Sequence, residues 1–134
     1  MTDFNKLDAN ITLGIIGGFL GLLIGDLSGA LIALLVFMVI DYITGVLVAI
    51  TRHRVNSNVG ALGIVKKGCM LLVVIIGNVL DVYVLQTDGV CKNIVIFFYL
   101  SNEGISICEN YNKLGLPFPE KLKKVLEQLT QDEE

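Results

Sequence analysis

At 134 residues the chain has room for one domain, and its 54% hydrophobic and 17% charged residues depart from the soluble norm of about 45–50% and about 25%. The solvent implied by this composition is a lipid bilayer. A formal net charge of −3 with basic residues scattered between hydrophobic runs excludes a nucleic-acid surface, and Cys69, Cys91 and Cys108 lack CxxC or Cys/His spacing, so no metal and no cofactor is expected.

The first residues, Thr2-Asp3-Phe4-Asn5-Lys6, lack the basic region of a secretory signal, and no small-residue cleavage site clearly follows the first apolar run. That run, residues 11–28, is therefore read as a retained membrane segment. Its continuous apolar part, Ile11 to Gly25, reaches only about 22 Å as a helix against a hydrocarbon core of about 30 Å. Gly17, Gly21, Gly25 and Gly29 recur every fourth residue, with Gly14 and Gly18 as a second pair, a spacing that favours close approach of helix backbones. Two outcomes stand open: association with other copies, or a tight hairpin with the next span through Asp26-Leu27-Ser28-Gly29.

Residues 31–50 are long enough to cross unaided, and a basic loop, 51–67, follows with Arg52, Arg54, Lys66 and Lys67. A third span is expected over 68–85, a turn at Gln86-Thr87-Asp88-Gly89, and a fourth span over 91–108. Beyond Gly115-Leu116-Pro117-Phe118-Pro119, the residues Leu122, Val125, Leu126 and Leu129 recur at helical spacing among Lys and Glu. This pattern predicts an amphipathic tail helix over 119–129.

Basic residues orient the spans, because Lys and Arg concentrate on the cytoplasmic side. Arg52, Arg54, Lys66 and Lys67 lie in one loop, and Lys113, Lys121, Lys123 and Lys124 follow the fourth span. The expected architecture is an all-α integral membrane protein of the bacterial cytoplasmic membrane, with about four transmembrane helices, a C-terminal amphipathic helix and both termini inside. Laying the first run on the surface instead gives three spans and relocates only Lys6.

Polar residues inside apolar spans are expensive. A central Asp such as Asp41 costs about 2.5–3.5 kcal/mol on insertion scales; the surrounding Leu, Ile, Val and Phe keep insertion favourable by a modest margin, and the acid still calls for a partner, protonation or water. Thr44 and Gly45 share its helix face. The third span repeats the device with Gly77, Asn78 and Asp81, and the fourth carries a stripe of Tyr99, Asn102, Glu103 and Ser106 that continues through Glu109, Asn110 and Lys113. Such faces either bond helices to one another or line a water-filled opening once subunits assemble. No nucleophile motif, phosphate loop or HExxH is present, His53 stands alone in a basic loop, and nothing builds a substrate pocket around the acids, so catalysis is not expected.

Several short stretches in order carry a resemblance. They are Asp41-Tyr42-Ile43-Thr44-Gly45, Gly63-Ile64-Val65-Lys66-Lys67, Asn78 with Asp81, Phe97-Phe98-Tyr99, Asn102-Glu103-Gly104 with Ser106, Glu109-Asn110, and Gly115-Leu116-Pro117-Phe118-Pro119. Over roughly residues 31–129 the sequence resembles the bacteriophage holins of the group that includes the toxin-secretion holins of clostridial toxin loci. The resemblance implies a protein that accumulates in the lipid bilayer, forms homo-oligomers and opens lesions. It also implies a functional link to an endolysin or a signal-less toxin, and an antiholin as a partner. No methionine follows Met1 until Met38, so a Met-based second start of an inhibitory form is not visible. Two other readings remain: a small proton or cation channel or carrier using Asp41, Asp81 and Glu103 as a relay, and a membrane anchor whose tail helix docks a protein or the inner leaflet.

Overall fold

A computed structural model describes residues 2–129, with side chains from Lys6 onward. Among the described residues the secondary structure is helical, without strands: α1 (Thr2–Ile24), α2 (Gly29–Thr51), α3 (Ser57–Val79), α4 (Val90–Lys113) and α5 (Glu120–Gln128). A π-helical turn, Leu80–Leu85, prolongs α3. Three stretches among the described residues are long and apolar enough to cross a membrane: Lys6–Ile24, Gly29–Thr51 and Ser57–Leu85. The helix expected as a fourth span, α4, is not one of them, because Lys92, Asn93, Ser101, Asn102, Glu103, Glu109 and Asn110 interrupt its apolar character.

Helix ends follow local chemistry. Gly25 takes a φ of 74°, a left-handed conformation that a residue with a Cβ adopts only at a cost, and its amide bonds the Gly21 carbonyl at 2.8 Å. Ser28 then caps α2, its Oγ accepting from the Leu31 amide at 3.3 Å. The first helix therefore stops at Ile24 rather than running to 28. Gly25 and Gly29 fall outside α1, and the four-glycine ridge is broken after Gly21. Of the two outcomes left open for the glycines, the hairpin with the next span does not form: α1 meets α3 near its own C-terminal end and does not pack along α2. Gly14, Gly17, Gly18, Gly21 and Gly29 have nothing within 4 Å of where a Cβ would stand.

The α2–α3 connection is shorter than the expected loop 51–67. Asn56 caps α3 by accepting from the Asn58 amide at 2.9 Å, and Val59, Leu62, Ile64 and Val65 continue the helix without a break. Lys66 and Lys67 consequently ride on α3, while Arg52 and Arg54 stay near the turn. Tyr42 of α2 lies against Gly60 and Gly63, where an added Cβ would come within 3.4 Å and 3.6 Å of its side chain.

The centre of the molecule is α4, flanked by α2, α3 and α5. Leu31, Leu34 and Met38 of α2, Val74 of α3, and Ile96 and Leu100 of α4 form the buried apolar cluster. Outside, the surface is apolar: Leu13, Ile15 and Phe19 of α1, Val36, Val39 and Ile43 of α2, and Leu72 and Ile76 of α3 are all exposed. Asp81, Glu103, Lys92 and Ser101 lie inside. This inverts the soluble arrangement and is the pattern of a multi-pass membrane protein, whose backbone polar groups helices satisfy internally.

The chain turns back after α4 at Gly115, with φ 74°, and the Leu116 amide bonds the Tyr111 carbonyl at 3.0 Å. Tyr111 and Phe118 meet edge to face at 5.6 Å. The tail helix α5 then runs back along α4, where Ser101 Oγ donates to the Leu126 carbonyl at 2.5 Å and the Leu126 side chain covers Gly104.

Candidate functional site

Three helices each contribute to one ionic cluster. Asp41 comes from α2, Lys67 from α3 and Glu103 from α4; Lys67 Nζ donates to Asp41 Oδ2 at 2.8 Å and also to Glu103 Oε2. Asn110 completes it, Nδ2 lying 3.2 Å from Asp41 Oδ1 and 3.0 Å from Thr44 Oγ1. The Thr44 hydroxyl has its own acceptors one turn back, the Ile40 carbonyl at 2.9 Å and the Asp41 carbonyl at 3.1 Å. Gly45 borders the same site: a Cβ there would stand 3.8 Å from Asn110 Nδ2, an ordinary contact. One ammonium between two carboxylates compensates the cost of each acid in an apolar setting, an arrangement that holds only while all three helices stay together. A cavity of about 820 Å³ between α2 and α3 opens onto the cluster, with Tyr42, Arg54, Lys66 and Ser106 among its lining residues.

A second polar cluster lies at the end of the bundle where α3 turns into α4. Asp81, 1% exposed, sits in the π-helical turn and accepts from the amides of Cys91 at 2.9 Å and Lys92 at 2.8 Å, and from the Thr87 hydroxyl at 2.5 Å. Its carboxylate therefore binds the free amides at the start of α4. Gly77 allows this crossing, because a Cβ there would lie 3.0 Å from Lys92 Cα. The Lys92 ammonium reaches the Asp26 carbonyl at 2.8 Å, and Asn78 Nδ2 reaches the Leu23 carbonyl at 2.9 Å. Together they tie the α1–α2 turn to α3 and α4.

The polar residues expected on shared faces are thus divided. Asp41 and Glu103 share Lys67, and Thr44 joins Asp41 through Asn110; Asn78 and Asp81 lie near the α3–α4 turn; Tyr99 is half-buried and edge to face with Phe98 at 5.4 Å; Asn102 is exposed; Ser106 borders the cavity. Asn110 lies on the continuation of the fourth span's polar stripe, whereas nothing in the sequence marks Lys67, Lys92 and Thr87 as interhelical contacts. The cap signal at Asn56 is what places Lys67 on a helix. Among the described residues no group of three or more His, Cys, Asp or Glu is arranged to hold a metal.

Residues 18–131 match the sequence profile of the bacteriophage holin family. The chain belongs to that family. Among holin-family relatives, a protein of Bacillus phage phi105 named "probable holin" is 37% identical over 64% of this chain and 63% of its own. An uncharacterized 14.9 kDa protein in the nagH 3' region of Clostridium perfringens is 44% identical over 74% of this chain and 75% of its own. A further uncharacterized protein from Clostridium perfringens strain 13 is 40% identical over 89% and 90%. No solved structure matches the chain. The holin profile begins at residue 18, so both polar clusters lie within the matched region and much of α1 precedes it.

Proposed function

We propose that this chain is a non-enzymatic holin that oligomerises in the cytoplasmic membrane and opens lesions through which a cell-wall hydrolase or a signal-less protein toxin leaves the cell. The observation that carries the reading is family membership over most of the chain, together with the relative named a probable holin. The inverted packing supports it. Each acid inside the bundle has a partner, so one copy sits in lipid at little cost, while α1 exposes an apolar helix with open glycines to whatever lies beside it. In this reading α4 crosses as a fourth span through the shelter of α2 and α3. The N-terminus, the turn at 52–56 and the α4–α5 connection face the cytoplasm, following the basic residues. An antiholin is the partner that delays opening.

A second reading has one observation in its favour. An Asp–Lys–Glu cluster inside a helical bundle is also what a proton or cation carrier requires. The two separate on what leaves the cell. Induced expression with a folded cytosolic reporter, followed beside small-ion leakage, is expected to release both, abruptly, after a period of harmless accumulation. Ion leakage with the reporter retained at every expression level sinks the holin reading in favour of the carrier.

A further inference from the structure

The position of α5 along the bundle is at odds with a tail helix that hangs in the cytoplasm. Lys67, Asp41 and Glu103 share one level, and Asp41 lies at the middle of the membrane-crossing stretch Gly29–Thr51. Leu126 lies against Gly104, one residue from Glu103. Leu129 goes further, packing against the apolar cluster of Leu31, Leu34, Ile96 and Leu100. The tail helix therefore sits within the same thickness that α2 traverses.

At that depth the two flanks of the molecule differ in chemistry. On α2 and α3, Ile43, Leu47, Val65 and Leu72 are exposed, as lipid requires. On α5, Glu120, Lys121, Lys124 and Glu127 are exposed, and Lys123 adds a further charge 4.0 Å from Glu127. On α4, which packs against α5, the exposed Asn102, Glu109 and Lys113 recur at helical spacing as one stripe. The outer part of α4 is apolar again, with Ile94, Phe97 and Phe98. Lipid cannot solvate a helix face with this density of charge, and among the described residues no further helix packs on α5 besides α4.

We propose that the α4–α5 flank is the water-facing wall of the assembled lesion. It rests on the hole-forming reading and assigns the wall to α5 with Asn102, Glu109 and Lys113, rather than to Asp41, Asp81 and Glu103, which are spent on contacts within the subunit. Each subunit is then amphipathic from side to side. Copies that place apolar flanks outward and α5 flanks inward enclose water, and the contact requires no opening of the ionic cluster.

The test holds α5 in place and asks whether the hole still forms. A Cβ on Gly104 would stand 3.1 Å from Leu126 Cγ, the position a sulfur takes, so Gly104→Cys with Leu126→Cys places two thiols at disulfide distance. In a background of Cys69→Ser, Cys91→Ser and Cys108→Ala, the pair is expected to crosslink in the membrane, and the oxidised protein to release the reporter with unchanged timing. Release that returns only on reduction makes α5 a cover that must lift and overturns the proposal. Should the thiol pair disturb folding, nitroxides at Asn102 and Lys124 decide the matter: in the open state they are expected to remain close, with Lys124 accessible to a water-soluble nickel complex and a label at Ile43 accessible to lipid-dissolved oxygen. Separation of the two labels on opening, or a Lys124 label shielded from nickel, also overturns it. An unsubstituted chain that never releases the reporter overturns hole formation and this proposal with it, whereas release with separated or shielded labels overturns the proposal alone.

Discussion

Lys67 is the residue on which the pairing of Asp41 and Glu103 depends. Removing it leaves Asp41 and Glu103 facing each other across an apolar setting, and breaking a buried pair in this way costs about 3–5 kcal/mol. Lys67→Met is expected to lower the thermal midpoint of the detergent-purified protein and to bring release forward in cells; Lys67→Arg keeps the charge and changes both less. Adding Glu103→Gln to Lys67→Met is expected to recover part of the loss, because one of the two unpaired acids is gone. Equal midpoints for Lys67→Met and the unsubstituted chain would show that the cluster contributes nothing to packing. Asp81 acts differently, through hydrogen bonds to the start of α4. Asp81→Asn exchanges one acceptor oxygen for a donor that faces an amide, a loss of about 1–3 kcal/mol. Faster hydrogen exchange at the amides of Cys91 and Lys92 is the expected sign, and unchanged exchange there would count against the cap.

Glycines distinguish the helices that pack within a subunit from the one free to pack outside it. At Gly77 any side chain meets the backbone of Lys92, so Gly77→Leu is expected to push α3 from α4 and lower the thermal midpoint sharply. At Gly21 nothing stands within 4 Å, so Gly21→Leu leaves the folded subunit unchanged. If α1 is the element that associates, the same substitution weakens crosslinked oligomers and delays release. Intact crosslinking and timing would make the glycines of α1 irrelevant to assembly. The two substitutions together separate folding from association, which a single measure of lysis cannot do.

At the scale of the whole molecule the orientation is open to direct measurement. Asn58 lies in the first turn of α3 and is exposed, close to Arg52 and Arg54 along the chain, whereas Asp88 lies in the turn before α4. With the native cysteines replaced, a thiol at Asn58 is expected to resist an impermeant reagent in intact cells before release, and a thiol at Asp88 to react. The reverse pattern would invert the topology. Protection of both would place the two ends of the stretch Ser57–Leu85 on one side and remove α3 from the membrane-crossing helices.

Hydropathy, caps and turns are local properties, and from them the sequence alone determined that the chain is helical and membrane-embedded, and that its acids lie in apolar surroundings. The same locality explains the difference at the start of α3: charge ends the apolar run at Lys66 and Lys67, although Asn56 already marks the helix start. Three things were decided only by tertiary structure: that Lys67 serves both Asp41 and Glu103, that α1 stands apart from α2, and that α5 folds back against α4. In a soluble protein the apolar stripe tells which side of a helix faces inward. Here lipid and protein interior are equally apolar, so the stripe leaves rotation and neighbour undetermined, and they are settled by polar contacts between residues far apart in the chain, as between Asp41 and Asn110.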